Sequence, residues 1–198
     1  MEWKKKKRLV LETKARLIGI GGIGHGVGGS HLSILMLNYL AGYERRRSAL
    51  LEWNSSGTLE KLEHVCTGKI SQKKPYRILD ADYYKSVGSK ELTEILTGNY
   101  DDILIDFGSL EELPVEFLRC ERQFLVGSFS EWQQECFREF VRNNGIGKKS
   151  WKYLAVFGSE ESRKEFMRRP GVFVERIPFS ADAFSVTEEV GQFFENLL

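Results

Sequence analysis

Six glycines stand between residues 21 and 29 (Gly21, Gly22, Gly24, Gly26, Gly28 and Gly29), and Ser30 and His31 close the run. The chemistry open to such a stretch is the holding of a phosphate. Glycines let successive backbone N–H groups turn toward one point without Cβ clashes. A helix that starts there adds orphan amides and partial positive charge. The residues that would line this cradle are Gly24, His25, Gly26, Val27, Gly28, Gly29, Ser30 and His31. What the run lacks is a lysine. Where Gly-Lys-Ser/Thr would direct an ammonium at the phosphate, the chain reads Gly28-Gly29-Ser30. His25 and His31 could partly replace that charge, although polar residues at a loop and a helix start need no ligand to account for them.

Other chemistries fit less of the chain. Gly19-Ile-Gly-Gly-Ile-Gly24 satisfies the dinucleotide fingerprint G-x-G-x-x-G, which calls for an acid about 20 residues later. The nearest acid in that role is Glu52, 28 residues beyond Gly24. A nucleophilic triad on Ser30 lacks the Gly-x-Ser-x-Gly elbow, and His25, His31 and His64 all precede residue 65. Asp80 and Asp82 would share one face of a strand and invite a metal, but a half-exposed strand surface is the simpler account. The histidines make no metal pattern. Cys66, Cys120 and Cys136 are odd in number and share no ligand spacing, which points to buried thiols in a reducing cytoplasm.

The elements that must position the glycine run follow from the apolar segments. Leu17 to Ile20 reads as a short buried strand before the loop, and Leu32 to Ala41 as a helix apolar on nearly all sides. Strands are expected at 48–53, 76–84, 101–107, 122–129, 151–157 and 172–179. Helical patterns lie between them, with caps at Ser89, Ser159 and the capping box Ser130-x-x-Gln133. This alternation predicts an α/β fold: a doubly wound, mainly parallel sheet of about seven strands with helices on both faces. At 198 residues with 41% hydrophobic and 29% charged residues, the chain suits one domain, taken as residues 16–198 after a basic arm or edge strand at 1–15. A net charge of +1 gives no strong nucleic-acid signal. The block Lys4-Lys5-Lys6-Lys7-Arg8 could make a weak contact with an anionic surface, with a solvated terminus as the simpler reading. No apolar region follows it to make a signal peptide, and no apolar run approaches the roughly 20 residues of a transmembrane segment. A cytoplasmic protein is expected.

Taken in order, Gly24-His-Gly-Val-Gly-Gly-Ser30 resembles the Lys-Gly-Gly-Val-Gly-Lys-Thr loop of the MinD/ParA family of deviant Walker A P-loop ATPases. Further likenesses follow. Glu52-Trp-Asn54 stands where that family ends its second strand in Asp-x-Asp. Ile103-Leu-Ile-Asp-Phe-Gly108 is similar to its Walker-B-like strand end, and Arg176-Ile-Pro-Phe-Ser-Ala-Asp182 to its base-side loop, which puts Pro178 beside a nucleotide. The resemblance covers nearly the whole chain from Arg16, and it implies ATP and Mg²⁺ as ligands, with Ser30, Glu52 and Asp106 as the candidate Mg²⁺ partners.

The departures fall at the chemical positions. The signature lysine is Gly24, the Walker lysine is Gly29, and the second acid of Asp-x-Asp is Asn54. Phosphoryl transfer depends on positioning and charge stabilisation, and removing one stabiliser costs roughly 3–4 kcal/mol. The resemblance therefore implies a degenerate, non-hydrolysing pseudo-ATPase that regulates or scaffolds through protein contacts, as a homodimer or beside an active relative. The alternative is a weak nucleotide-binding switch, with ATP-dependent dimerisation or localisation and residual or partner-assisted ATPase activity. Some members of that family end in a membrane-binding amphipathic helix. Here Glu188, Glu189 and Glu195 stand where such a helix would be basic, so Val186, Val190, Phe193, Phe194 and Leu197 are expected in the core.

Overall fold

The computed structural model describes residues 15–72, 74–144, 151–168 and 172–198. Among the described residues, eight strands form one sheet: β1 (Arg16–Gly22), β2 (Ser48–Glu52), β3 (Tyr76–Ile78), β4 (Ala81–Tyr84), β5 (Asp102–Ser109), β6 (Arg122–Gly127), β7 (Trp151–Ala155) and β8 (Val174–Arg176). Their spatial order is β3-β4-β2-β5-β1-β6-β7-β8. Every pairing is parallel except β3 with β4. The helices are α1 (Gly29–Asn38), α2 (Thr58–Thr67), α3 (Ser89–Leu96), α4 (Val115–Leu118), α5 (Gln134–Asn144), α6 (Glu160–Arg168) and α7 (Glu188–Leu197). A π-helical turn at Tyr39–Tyr43 extends α1.

The period-two alternation of the strands sorts side chains into two cores. Ile18, Ile20, Leu50, Leu104, Phe124 and Leu154 face α1, α2 and α7, burying Leu35, Leu59, Val190 and Phe194. On the opposite face, Leu51, Ile103, Ile105 and Leu125 meet Leu92, Phe117, Phe137 and Phe166 of α3 to α6. Helices thus cover both faces, as βαβ crossovers require. Within the second core, Phe137 and Phe166 stack at a centroid distance of 4.5 Å.

Several expectations shift. The strand expected over 76–84 is two, which raises the count from about seven to eight. Leu79 adopts φ 51° and the chain reverses there into an antiparallel hairpin. Asp80 therefore lies on an exposed turn near Arg45, while Asp82 lies on β4 and accepts from the Tyr100 hydroxyl at 2.9 Å. The two do not share one strand face. Ser89 opens α3 but makes no side-chain cap, whereas the Ser159 hydroxyl does accept from the Ser162 amide at 3.0 Å. Cys120 is buried, but Cys66 and Cys136 are exposed. In α7, Val190, Phe194 and Leu197 are buried, with Phe193 and Val186 half-buried against the same core. The expected N-terminal strand at 8–13 and the basic block lie outside the described residues. Among the described residues no helix is long and apolar enough to cross a membrane.

Candidate functional site

The glycine loop leaves β1 at Gly22 and enters α1 at Gly29. Gly24 has φ 103° and Gly28 has φ 95°, both in the left-handed region that a side chain resists, and Gly28 in that state caps α1. Among the described residues, none of the amides from Gly24 to Gly28 donates to a backbone or side-chain acceptor of the protein. The first amides of α1 have no intrahelical acceptors either. The loop is nevertheless fastened: the Ile23 amide donates to the Val126 carbonyl at 2.7 Å, and Gln133 Nε2 to the His25 carbonyl at 2.7 Å. The result is a concave cradle of about 330 Å³ lined by all eight residues from Gly24 to His31 (Ile23 lies beneath), together with Ser56, Gly108 and Ser109.

Two acids lie behind the cradle because of strand parity. Glu52 and Asp106 are register partners at the carboxyl ends of β2 and β5, on the side of the sheet that carries α1. Asp106 is 1% exposed; its Oδ1 accepts from the Gly108 amide at 2.9 Å, while its buried Oδ2 has no partner. Burial pushes the Asp106 carboxyl above the usual carboxylate range, partly countered by the nearby Ser30 hydroxyl and the Gly108 amide, with the Glu52 charge adding to the rise. Glu52 is fully engaged. Its Oε1 accepts from the Ser56 hydroxyl and the Leu59 amide, and its Oε2 from the Ser86 amide. Asn54 binds across the same strand ends: its Nδ2 donates to the Asp106 carbonyl at 3.0 Å, and its Oδ1 accepts from the Ser56 amide. An aspartate there could not make the first of these bonds.

Beside the cradle runs an apolar slot of about 320 Å³. Leu32 and Leu35 of α1 form one wall, and Val156, Phe157, Ile177, Pro178 and Phe179 from the ends of β7 and β8 form the other. Gly28 and His31 belong to both spaces, so cradle and slot are continuous. His31 presents a buried Nε2 without a hydrogen-bond partner at this junction. A cradle of free amides joined to an apolar recess has the chemistry to take a phosphorylated ring compound.

The eight residues from Gly24 to His31 lie together on one surface, and Pro178 lines the adjoining slot. Ser30 and Asp106 are brought close together, and Glu52 is placed behind Ser56. Gly19 and Gly21 belong to β1 itself, and a Cβ on Gly21 would meet Leu110 Cδ1 at 2.2 Å. These glycines therefore serve packing beneath Leu110 and Phe117, which removes the geometric basis of the dinucleotide fingerprint. Sequence reasoning did not include Ser56, Ser109 or the aromatic walls Phe157 and Phe179 among the candidate site residues. The available signal was topological, since loops leaving the carboxyl ends of strands beside a divergent crossover flank the binding crevice. Among the described residues, no group of three or more His, Cys, Asp or Glu is arranged to hold a metal ion.

No protein-family model matches the sequence, and no curated protein matches it. Solved structures do. A ParA family ATPase from Chlorobium tepidum superposes with a TM-score of 0.68 at 14% identity, covering 89% of this chain and 95% of that one. MinD in the MinC:MinD cell division complex of Aquifex aeolicus gives 0.62 at 17% identity, covering 84% and 82%. A nucleotide-binding protein from Archaeoglobus fulgidus in complex with ADP gives 0.55 at 15% identity, covering 93% and 92%. With the strand order, the glycine loop between β1 and α1, and these superpositions in agreement, the chain has the MinD/ParA-type P-loop fold.

Proposed function

We propose that this chain is a non-hydrolysing relative of the MinD/ParA ATPases, which holds a nucleotide as a ligand and acts through protein contacts in regulation or scaffolding. The observation that carries the reading is the composition of the cradle: a loop whose amides from Gly24 to Gly28 are free, the start of α1, and no lysine or arginine among the lining side chains. Amides and a helix terminus suffice for ground-state anion binding. Transition-state charge needs cations, and both expected positions are glycine. The apolar slot favours a base-bearing anion over bare phosphate, with Pro178 against the ring. This continuity of slot and cradle also supports the second reading, a weak nucleotide-controlled switch in dimerisation or localisation.

The fold implies Mg²⁺, and one part of the site fits it. The orphaned Oδ2 of Asp106 beside the Ser30 hydroxyl is a cation-seeking pair. These two residues would hold the ion, with Glu52 fixing the Ser56 turn from behind. Mg²⁺, when bound, offsets the phosphate charge above the two carboxylates. Partners are expected to be proteins, a second copy of this chain or an active relative, since MinD of the comparison is seen with MinC. The test is paired. Purified protein should release no phosphate from ATP or GTP above a buffer blank, while millimolar MgATP should raise its melting temperature and shift the amides of Gly26, Gly28, Gly29 and Ser30. Steady phosphate release that disappears in Asp106→Ala would overturn the first half; unchanged melting and spectra would overturn the second.

A further inference from the structure

The cradle combines two features that oppose each other. Its loop offers amides but no cation, and two carboxylates, Asp106 and Glu52, lie directly behind it. A triphosphate entering there meets a negative field, and the protein's own loop offers only amides against it. Among the described residues, one ammonium is hydrogen-bonded to a wall of the cradle. Lys61 Nζ donates to the Ser56 carbonyl at 3.4 Å, and Ser56 lines the cradle. The bond is long and goes to a neutral carbonyl, which leaves the charge uncompensated at that point. Lys61 is exposed near the start of α2, where the Lys61 amide donates to the Gly57 carbonyl. Its attachment is rigid at the base and flexible at the tip. Glu52 fixes the turn beneath it through the Ser56 hydroxyl and the Leu59 amide, while the four-carbon stem can swing its three donors toward an anion.

We propose that Lys61 is the phosphate-facing cation of this chain, reaching into the cradle from α2 to contact the outer phosphates of a nucleotide, in place of the lysines absent at Gly24 and Gly29. The proposal rests on the nucleotide reading of the site and adds to it a specific residue from a different element. It also accounts for a design in which charge arrives from the wall rather than from the loop. A lysine on α2 steadies a bound phosphate without being built into the turn that wraps it.

The test titrates the full chain with MgATP and, separately, with adenosine, for the wild type, Lys61→Ala and Lys61→Arg, following NMR shifts and unliganded melting temperature. Lys61→Ala should weaken ATP binding about 5- to 10-fold, the lower end for a charge-assisted hydrogen bond at an open rim. Adenosine binding should stay within about twofold, because the slot does not involve α2, and Lys61→Arg should restore ATP binding to within about twofold. Equal ATP affinity in wild type and Lys61→Ala overturns the assignment while leaving the nucleotide reading in place. Parallel loss of ATP and adenosine also overturns it, since that pattern marks a structural defect. A wild type that binds neither compound defeats the nucleotide reading itself, and Lys61 with it.

Discussion

Gly29 is the position at which a lysine would return charge to the cradle, and its backbone is ready to accept one. The residue is helical, and an added Cβ would meet the Gly22 nitrogen at 3.5 Å, an ordinary contact. Gly24 is different: its space is open, with Val27 Cγ1 at 3.8 Å, but φ 103° strains any side chain placed there. Gly29→Lys should therefore fold with an essentially unchanged melting temperature, whereas Gly24→Lys should lose roughly 1–2 kcal/mol of stability. A charged hydrogen bond to phosphate contributes about 1.5–3 kcal/mol, so Gly29→Lys should bind MgATP about 10- to 150-fold more tightly. Turnover should stay at the blank level, because Gly24 still leaves the loop without its second lysine. Isothermal titration of wild type and both variants reads all of this. If Gly29→Lys folds like the wild type and gains no affinity, the cradle does not seat a phosphate at the start of α1, and the reasoning from its amides fails.

Three further outcomes are expected. Phe194→Ala, which empties a fully buried site between α7 and Tyr39, should cost about 3–5 kcal/mol in denaturant unfolding, and removing residues 186–198 should unfold the domain; a truncated chain that keeps its melting temperature would contradict the core assignment of α7. Lys85 and Glu63 form a buried ion pair at 2.5 Å, so Lys85→Ala should lose about 3–5 kcal/mol, and a loss below 1 kcal/mol would show the pair to be dispensable. Asp106 carries a raised folded-state pKa, so the stability it contributes is full below its unfolded pKa and is lost as pH rises through the folded value. Without Mg²⁺, Asp106→Asn should melt higher than wild type at pH 7, with the gap closing as pH falls toward about 4, the unperturbed carboxylate range; a gap that widens on acidification would reverse the sign.

Much of the architecture was legible because it depends on patterns a sequence displays directly. The alternation of apolar runs with amphipathic segments gave the layered sheet, and the glycine run with Ser30 gave the strand-loop-helix unit. The side that Glu52 and Asp106 share was not readable, because β2 and the centre of β5 are buried on both faces and show no alternation; it follows from their register. What stayed hidden depends on contacts distant in sequence. The break at Leu79 comes from a non-glycine residue with positive φ, which no turn propensity announces. The apolar slot is assembled from α1, the end of β7 and the loop after β8, more than 140 residues apart at the extremes. The tasks of Asn54 and Glu52 emerge only when the ends of β2 and β5 are seen side by side; in the sequence they look like an eroded acidic motif.

The fastening of the glycine loop bears on how a site without lysines can still be useful. A free loop this rich in glycine would have to be ordered by its ligand, at a cost of about 1–2 kcal/mol per residue fixed. Here Gln133 grips the His25 carbonyl and Val126 grips the Ile23 amide, so that ordering is completed when the domain folds. Preorganisation of this kind leaves the remaining attraction of the amides undiminished by any closing step. It also ties the loop to the start of α5 through a single amide side chain. Because Gln133 is not itself among the cradle's lining residues, Gln133→Ala should loosen the loop without removing any group that faces the cradle.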